Sequence, residues 1–421
     1  MFTQRLLITA ITVLLSIVKG PAWAQVDPQV AERYFDEART LCERDGGRMW
    51  GVSLCGPMIF ADASTHTLAG SIQVPGGSWP IALGYAGTAL DWGGQRWAVY
   101  PWGLVHEADV ETRGRTMLHE LFHRIQPSLD LMTPGGSNEH LDTLEGRLFL
   151  QLEWRALARA IESTGPEQRT AIGDALAFRQ ARQSAFPDSA ENERTDEIRE
   201  GLAEYTGVVA GSSTSDEATR FALWTLTNPE TATISFVRGF SYRSGVAYGI
   251  LLDKFSPGWT RRLETDDSLP ALLADAAGIQ PTSDTDAAAG RYDGSALRRA
   301  EGDREARRQA RVADLRRTFI ESPVLTLPRP RSVTLASTGE MPIPGAGTVI
   351  FGVYRATTAW GRLESTNAIF LTADGEVLHL PLPYRREADT LIGEGWMIVI
   401  APGWIVRPGP RTGDEEIAPQ G

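Results

Sequence analysis

Apolar positions along the chain change their period twice. From Gln29 to Arg44 they recur at helical spacing. Between residues 49 and 106 they fall into short runs such as "MWGVSLCGPMIFAD", "THTLAGSIQV" and "QRWAVYPW", broken by glycine and proline, which predicts strands. Helical spacing then returns. It predicts helices at Asp109–Gln126, Asn138–Ser163, Glu167–Phe186, Thr195–Ala210 and Phe240–Phe255, most of them stopped by proline or glycine. Residues 281–293 are rich in Asp, Ala, Thr and Gly and predict a linker, followed by an Arg-rich helix to about residue 321 whose interleaved acids make it a solvated face. From Ser322 the pattern is strand again, with a hairpin signal at Ala373-Asp374-Gly375. The expected class is α+β: a small, mainly antiparallel N-terminal sheet, a helical core over 25–280, and an all-β domain over 322–408. Residues 409–421 are expected to be a disordered tail.

The first 24 residues stand apart. Arg5, the apolar run Leu6–Val18 and the small-x-small end Ala22-Trp23-Ala24 have the layout of a secretory signal peptide. The run is shorter than the ~20 residues a spanning helix needs. Export to the periplasm or medium is therefore expected, with no stable membrane span after cleavage. In that setting Cys42 and Cys55, the two cysteines of the chain, are expected to pair. Net charge is −12, and −14 once Arg5 and Lys19 leave with the leader, which argues against nucleic acid as a partner. The sequence says nothing of the oligomeric state.

The candidate chemistry lies in "HELFH", residues 119–123, in a chain with six histidines. On a helix His119 and His123 differ by about 40° around the axis, so both imidazoles can meet one ion, while Glu120 points roughly 60–100° away. H-E-x-x-H on a helix is the zinc-hydrolase pattern. Two neutral nitrogens, one further protein ligand and an open position suit Zn2+, with Glu120 as general base towards a bound water. The metzincin extension is excluded, because Gln126 and Leu129 stand where its glycine and third histidine belong. Glu200 and Glu204 in "REGLAEYTG", Glu145, and Glu139 in "NEHLD" compete as third ligand. Gly201 and Gly207 mark the first of these helices as closely packed.

HELFH followed by REGLAEY resembles the gluzincin metallopeptidases, aminopeptidase-N-like members in particular. Their third ligand is the glutamate of an Asn-Glu-Gly-Phe-Ala-x-Tyr segment. The resemblance implies Glu200 as ligand, with Arg199 in place of the asparagine. "SYRSGVAYGILL" resembles the same group's Tyr-x-Lys-Gly-Ala helix, which implies Tyr242 as donor to the oxyanion; Tyr248 is a rival. The gap from His123 to Glu200 is far longer than the family uses, and no Gly-x-Met-Glu-Asn segment precedes the zinc helix. The expected activity is that of an exported zinc metallopeptidase acting on a peptide or protein, with endopeptidase action left open. A zinc deacylase of envelope material, and an envelope scaffold with structural zinc, are the alternatives. The resemblance to zincins implies Trp97–Tyr100 as an edge strand that pairs with substrate backbone, with a core strand as the alternative. His66, His106, His140 and His379 are expected to be surface or structural, with His140 nearest the site.

Overall fold

The computed structural model describes residues 25–76, 79–80, 83, 87–228, 235–237, 239–331 and 333–420. The expected leader, residues 1–24, lies outside them. Two compact units emerge. One holds the chain up to His140 and Phe149–Ala288; the other holds Leu141–Leu148 and everything from Ala289.

The first unit begins with α1 (Pro28–Asp45). Asp27 caps it by accepting from the amides of Gln29 and Val30, and Gly46 ends it in the left-handed region at φ +58°. Four strands follow: β1 (Met58–Asp62), β2 (Thr67–Gly70), β3 (Thr88–Trp92) and β4 (Gln95–Pro101). Their order is β2-β1-β4-β3. β1 and β4 run parallel, and the two outer pairings are antiparallel. The sheet is thus mixed. The all-buried burial pattern of β1 matches its continuous apolar run, and Phe60 from it stacks on Phe35 of α1 with centroids 4.5 Å apart.

Helices make up the rest of this unit: α2 (Trp102–His106), α3 (Val110–Ile125), α4 (Leu144–Glu162, its first turn in the other unit), α5 (Gly165–Ala185), α6 (Ser189–Asp196), α7 (Leu202–Gly211), α8 (Ser215–Thr227), α9 (Phe240–Phe255), α10 (Leu269–Ala277) and α11 (Thr285–Gly290). One π-helical turn, Glu197–Gly201, joins α6 to α7. α11 falls within the stretch expected as a linker.

Cys42 and Cys55 form a disulfide, which fits the expected export. It closes a loop with a sequence separation of 13. A loop of that size gains about 3 kcal/mol in the chain-entropy model. Replacing both cysteines with serine is expected to lower unfolding stability by about that amount, read as a drop in thermal midpoint. An unchanged melt would contradict this.

The second unit holds α12 (Gly294–Arg316), a π turn (Arg317–Glu321) and eleven strands. They are β5 (Val324–Pro328), β6 (Thr334–Ile343), β7 (Gly347–Thr358), β8 (Gly361–Ser365), β9 (Ala368–Thr372), β10 (Val377–Pro381), β11 (Tyr384–Glu387), β12 (Thr390–Gly393), β13 (Trp396–Ile400), β14 (Trp404–Pro408) and β15 (Glu415–Pro419). They form one curled sheet in the order β11-β12-β13-β8-β7-β9-β10-β5-β15-β14, with β6 on β7. The hairpin at Ala373–Gly375 is present, with Gly375 at φ +74°. The tail expected to be disordered is instead strand. β15 pairs with β14 and β5, and Ile417 and Ala418 are buried beneath it. Its apolar pair is too short for a sequence pattern to separate from a polar tail. α12 buries Leu297 and Leu315 and leaves most of its arginines in solvent, as expected.

Candidate metal centre

α3 is fixed at its start and at its middle. Asp109 caps it by accepting from the Thr112 amide at 2.8 Å, and Tyr100 of β4 donates to the Met117 carbonyl at 2.7 Å. Met117, Leu118, Leu121, Phe122 and Ile125 are buried and seat the helix. His119 and His123 then share one face, and Glu120 is buried beside them.

Glycines let α7 lie against α3. A Cβ on Gly207 would stand 2.6 Å from the Arg115 carbonyl and 3.2 Å from the His119 Cβ. A Cβ on Gly201 would press on Ser241 and Gly245 of α9 at 3.0–3.1 Å. The expected close packing of these glycines is therefore real, and it brings the π turn alongside the histidines. The turn is anchored from behind. Arg179 donates to both oxygens of Glu197 at 2.9 and 2.5 Å, and to Glu153 at 2.8 Å, all in the interior. π turns recur at functional sites because they re-aim a side chain within a helix. Here the re-aimed residue is Glu200.

Three potential donor atoms converge. His119 Nε2 and His123 Nε2 are 3.2 Å apart, and Glu200 Oε2 lies 3.7 Å and 3.5 Å from them. A point equidistant from three atoms so spaced lies about 2.0 Å from each, the length of a Zn–N or Zn–O bond. Glu120 also has an oxygen within 4.8 Å of both rings. Glu200 and Glu120 both bring a carboxylate oxygen to the two rings, Glu200 at 3.7 and 3.5 Å from the Nε2 atoms.

The far side of each ring is held. Glu204 Oε2 accepts from His119 Nδ1 at 2.9 Å, so this carboxylate orients the ring and is not turned to the ligand atoms. On the other ring, Gln126 Oε1 lies 2.9 Å from His123 Nδ1, while its amide nitrogen donates to the carbonyls of Ile198 and Arg199 at 3.0 and 3.2 Å. Those carbonyls fix which way the amide points. Its oxygen therefore accepts from Nδ1–H, and Nε2 is turned towards Glu200 Oε2 at 3.5 Å. One buried side chain thus joins the second histidine to the turn that presents the glutamate. Sequence reading treated Gln126 only as a missing glycine. A Glu204→Ala variant is expected to weaken metal affinity about 10–100-fold. Metal titration reads this, and unchanged affinity would remove Glu204 from the site.

Acidic neighbours favour positive charge at the His119 ring. Burial works against a charge on His119, but Glu200 and Glu204 outweigh it and push its pKa up to about 10. Burial also opposes the charge on Glu200, yet the two histidines and Tyr242 hold it far below the carboxylate range. Glu120 goes the other way. Burial raises its pKa, against the pull of His119 and His123. Its Oε2 has no hydrogen-bond partner among the described residues, and Gly87 is so close that a Cβ there would meet Oε1 at 2.1 Å.

No protein-family model, curated protein or solved structure matches this chain. Its site is therefore read from its own geometry.

Tyr242 joins the site. Its ring stacks on His119 with centroids 5.5 Å apart, and its hydroxyl donates to Glu200 Oε2 at 2.8 Å. Burial and the Glu200 charge raise its phenol well above the ordinary value, so it stays a donor. Tyr248, the rival, is wholly buried and donates to Glu153 at 2.7 Å, away from the cluster. The competing glutamates also lie elsewhere. Glu145 pairs with Arg298 at 2.6 Å in the second unit, and Glu139 is exposed on a 3-10 turn. The remaining histidines have other partners. His66 stacks on Trp79, His106 contacts Trp102 and the Tyr34 hydroxyl, His140 meets Glu193, and His379 donates to the Phe319 carbonyl.

The expected substrate strand needs correction. Trp97–Tyr100 in β4 are buried between β1 and β3 and expose no edge. The outer strand on this side is β3. Gly87, Thr88 and Ala89 line a cavity of about 310 Å3 together with Arg96, Glu120, both histidines, Arg199 and Glu200.

Proposed function

We propose that this chain is an exported zinc metallopeptidase that hydrolyses peptide bonds. The observation that carries the reading is the triangle of His119, His123 and Glu200, with the unpartnered oxygen of Glu120 beside it. His119, His123 and Glu200 would hold a zinc ion there, and that ion would supply a Lewis acid and lower the pKa of a water. Glu120 accepts the proton of the attacking water and returns it to the leaving amine. Its raised proton affinity suits both transfers. Tyr242 turns its hydroxyl from Glu200 to the developing oxyanion. The outward backbone of β3 offers hydrogen bonds to an extended substrate. Among the described residues, no helix is long and apolar enough to cross a membrane, and the disulfide agrees with a site outside the cytoplasm.

The test is metal analysis of the purified protein together with digestion of a random peptide library. Stoichiometric zinc with cleavage is the expected result. Zinc without peptide cleavage would turn the reading towards a deacylase or a scaffold, and absence of metal would end it.

A further inference from the structure

The candidate centre has two sides of opposite character. One is the cavity ringed by Arg96, Gln126 and Arg199, where the Nε atoms of both arginines lack hydrogen-bond partners among the described residues. The other is a cavity of about 590 Å3 that shares His119, Glu120 and Tyr242 with the first. Its outer walls are Leu104 of α2 and Phe221 and Trp224 of α8. Leu104 and Trp224 are 52% and 53% exposed, unusual for side chains of that size.

Apart from Glu120 Oε2, which faces the shared centre, most polar groups of this second cavity are already engaged. The Thr116 hydroxyl donates to the Thr112 carbonyl at 2.9 Å, and the Thr112 hydroxyl donates to Asp109. Glu204 is held by His119. The Arg115 guanidinium lies over the Phe221 ring, 4.4 Å from its centroid, which fixes that ring as a wall. A polar ligand would find few groups to bond, whereas an apolar ring would cover Leu104 and Trp224 and meet two aromatic faces.

The geometry points to a subsite for one large aromatic side chain, seated between Leu104, Phe221 and Trp224 directly beside the scissile bond. This inference rests on the peptidase reading above. Among the described residues the polar cavity opposite presents one large apolar side chain, Met132, and no aromatic pair like Phe221 and Trp224, so the aromatic preference applies to one side of the cleaved bond only.

The experiment has two arms. In the first, the zinc-loaded enzyme digests a peptide library and the cleavage sites are mapped. Phe, Tyr or Trp at a single position flanking the cut, at least tenfold over Ala in kcat/KM, is expected. Trp224→Ala and Phe221→Ala should shrink that aromatic-to-alanine ratio towards one. Cleavage with no aromatic preference, or with a ratio that both variants leave intact, would overturn the subsite and leave the peptidase reading standing. In the second arm, binding of 3-phenylpropionohydroxamate is compared with acetohydroxamate, independently of turnover. Tighter binding of the phenyl compound that is lost in Trp224→Ala supports the subsite even where no peptide is cut, in which case only the peptidase reading falls. Equal binding of the two hydroxamates overturns the subsite. A long-chain acyl hydroxamate that outbinds the phenyl compound would also overturn it, in favour of a lipid chain.

Discussion

Replacing Glu120 with glutamine is expected to leave the metal in place and to lower kcat/KM by on the order of a hundred- to ten-thousand-fold, the usual range for a lost general base. The substitution is nearly isosteric. Glu120 Oε2 has no partner among the described residues to lose, and Oε1 rests in the space that Gly87 leaves. The substitution breaks no hydrogen bond of Oε2, and the effect should fall on proton transfer. Zinc content and turnover, measured on the same preparation, separate the two. A glutamine variant with full activity would show that Glu120 takes no proton. One that loses both metal and fold would make it a ligand or a structural residue.

Glu200→Ala is expected to weaken metal binding by more than the roughly 10–100-fold of an outer-shell change. It removes the carboxylate 3.5–3.7 Å from both ring nitrogens and leaves those nitrogens facing one another at 3.2 Å. Thermal melts give a second readout. A ligand at a hundred times its Kd stabilises the folded state by about 2.7 kcal/mol. Added zinc should therefore raise the midpoint of the wild type and raise that of the variant far less. Equal zinc-induced shifts would mean that the third ligand is another residue.

What the sequence revealed, and what it hid, follows from how local each feature is. The helix that carries HELFH was legible because its apolar stripe, its Asp109 cap and both histidines lie within one stretch of chain. Glu200 was singled out through a second local pattern, REGLAEY, and its carboxylate lies beside both rings. The π turn that aims it was not legible, since it depends on Arg179 reaching Glu197 from another helix. Gln126 hid for the same reason. Its role exists only where Ile198 and Arg199 turn their carbonyls towards it. A buried polar residue three positions after the second histidine was the one signal available. Strand identity was readable in β4 but strand order was not. Its apolar run fits an interior or an exposed strand equally, and the pairing with β1 decided the matter. The apolar wall by Trp224 escaped notice because helix α8 was itself not anticipated, with its buried face reduced to Ala218, Ala222 and Leu226.

The central claim is that two imidazoles and one distant carboxylate grip a single zinc ion. X-ray absorption at the zinc K edge of the purified protein tests it most directly. The expected spectrum has a shell of nitrogen and oxygen at about 2.0–2.1 Å, two imidazole rings in the outer scattering, and no sulfur. A protein that binds no zinc, or a shell without imidazole, would contradict it.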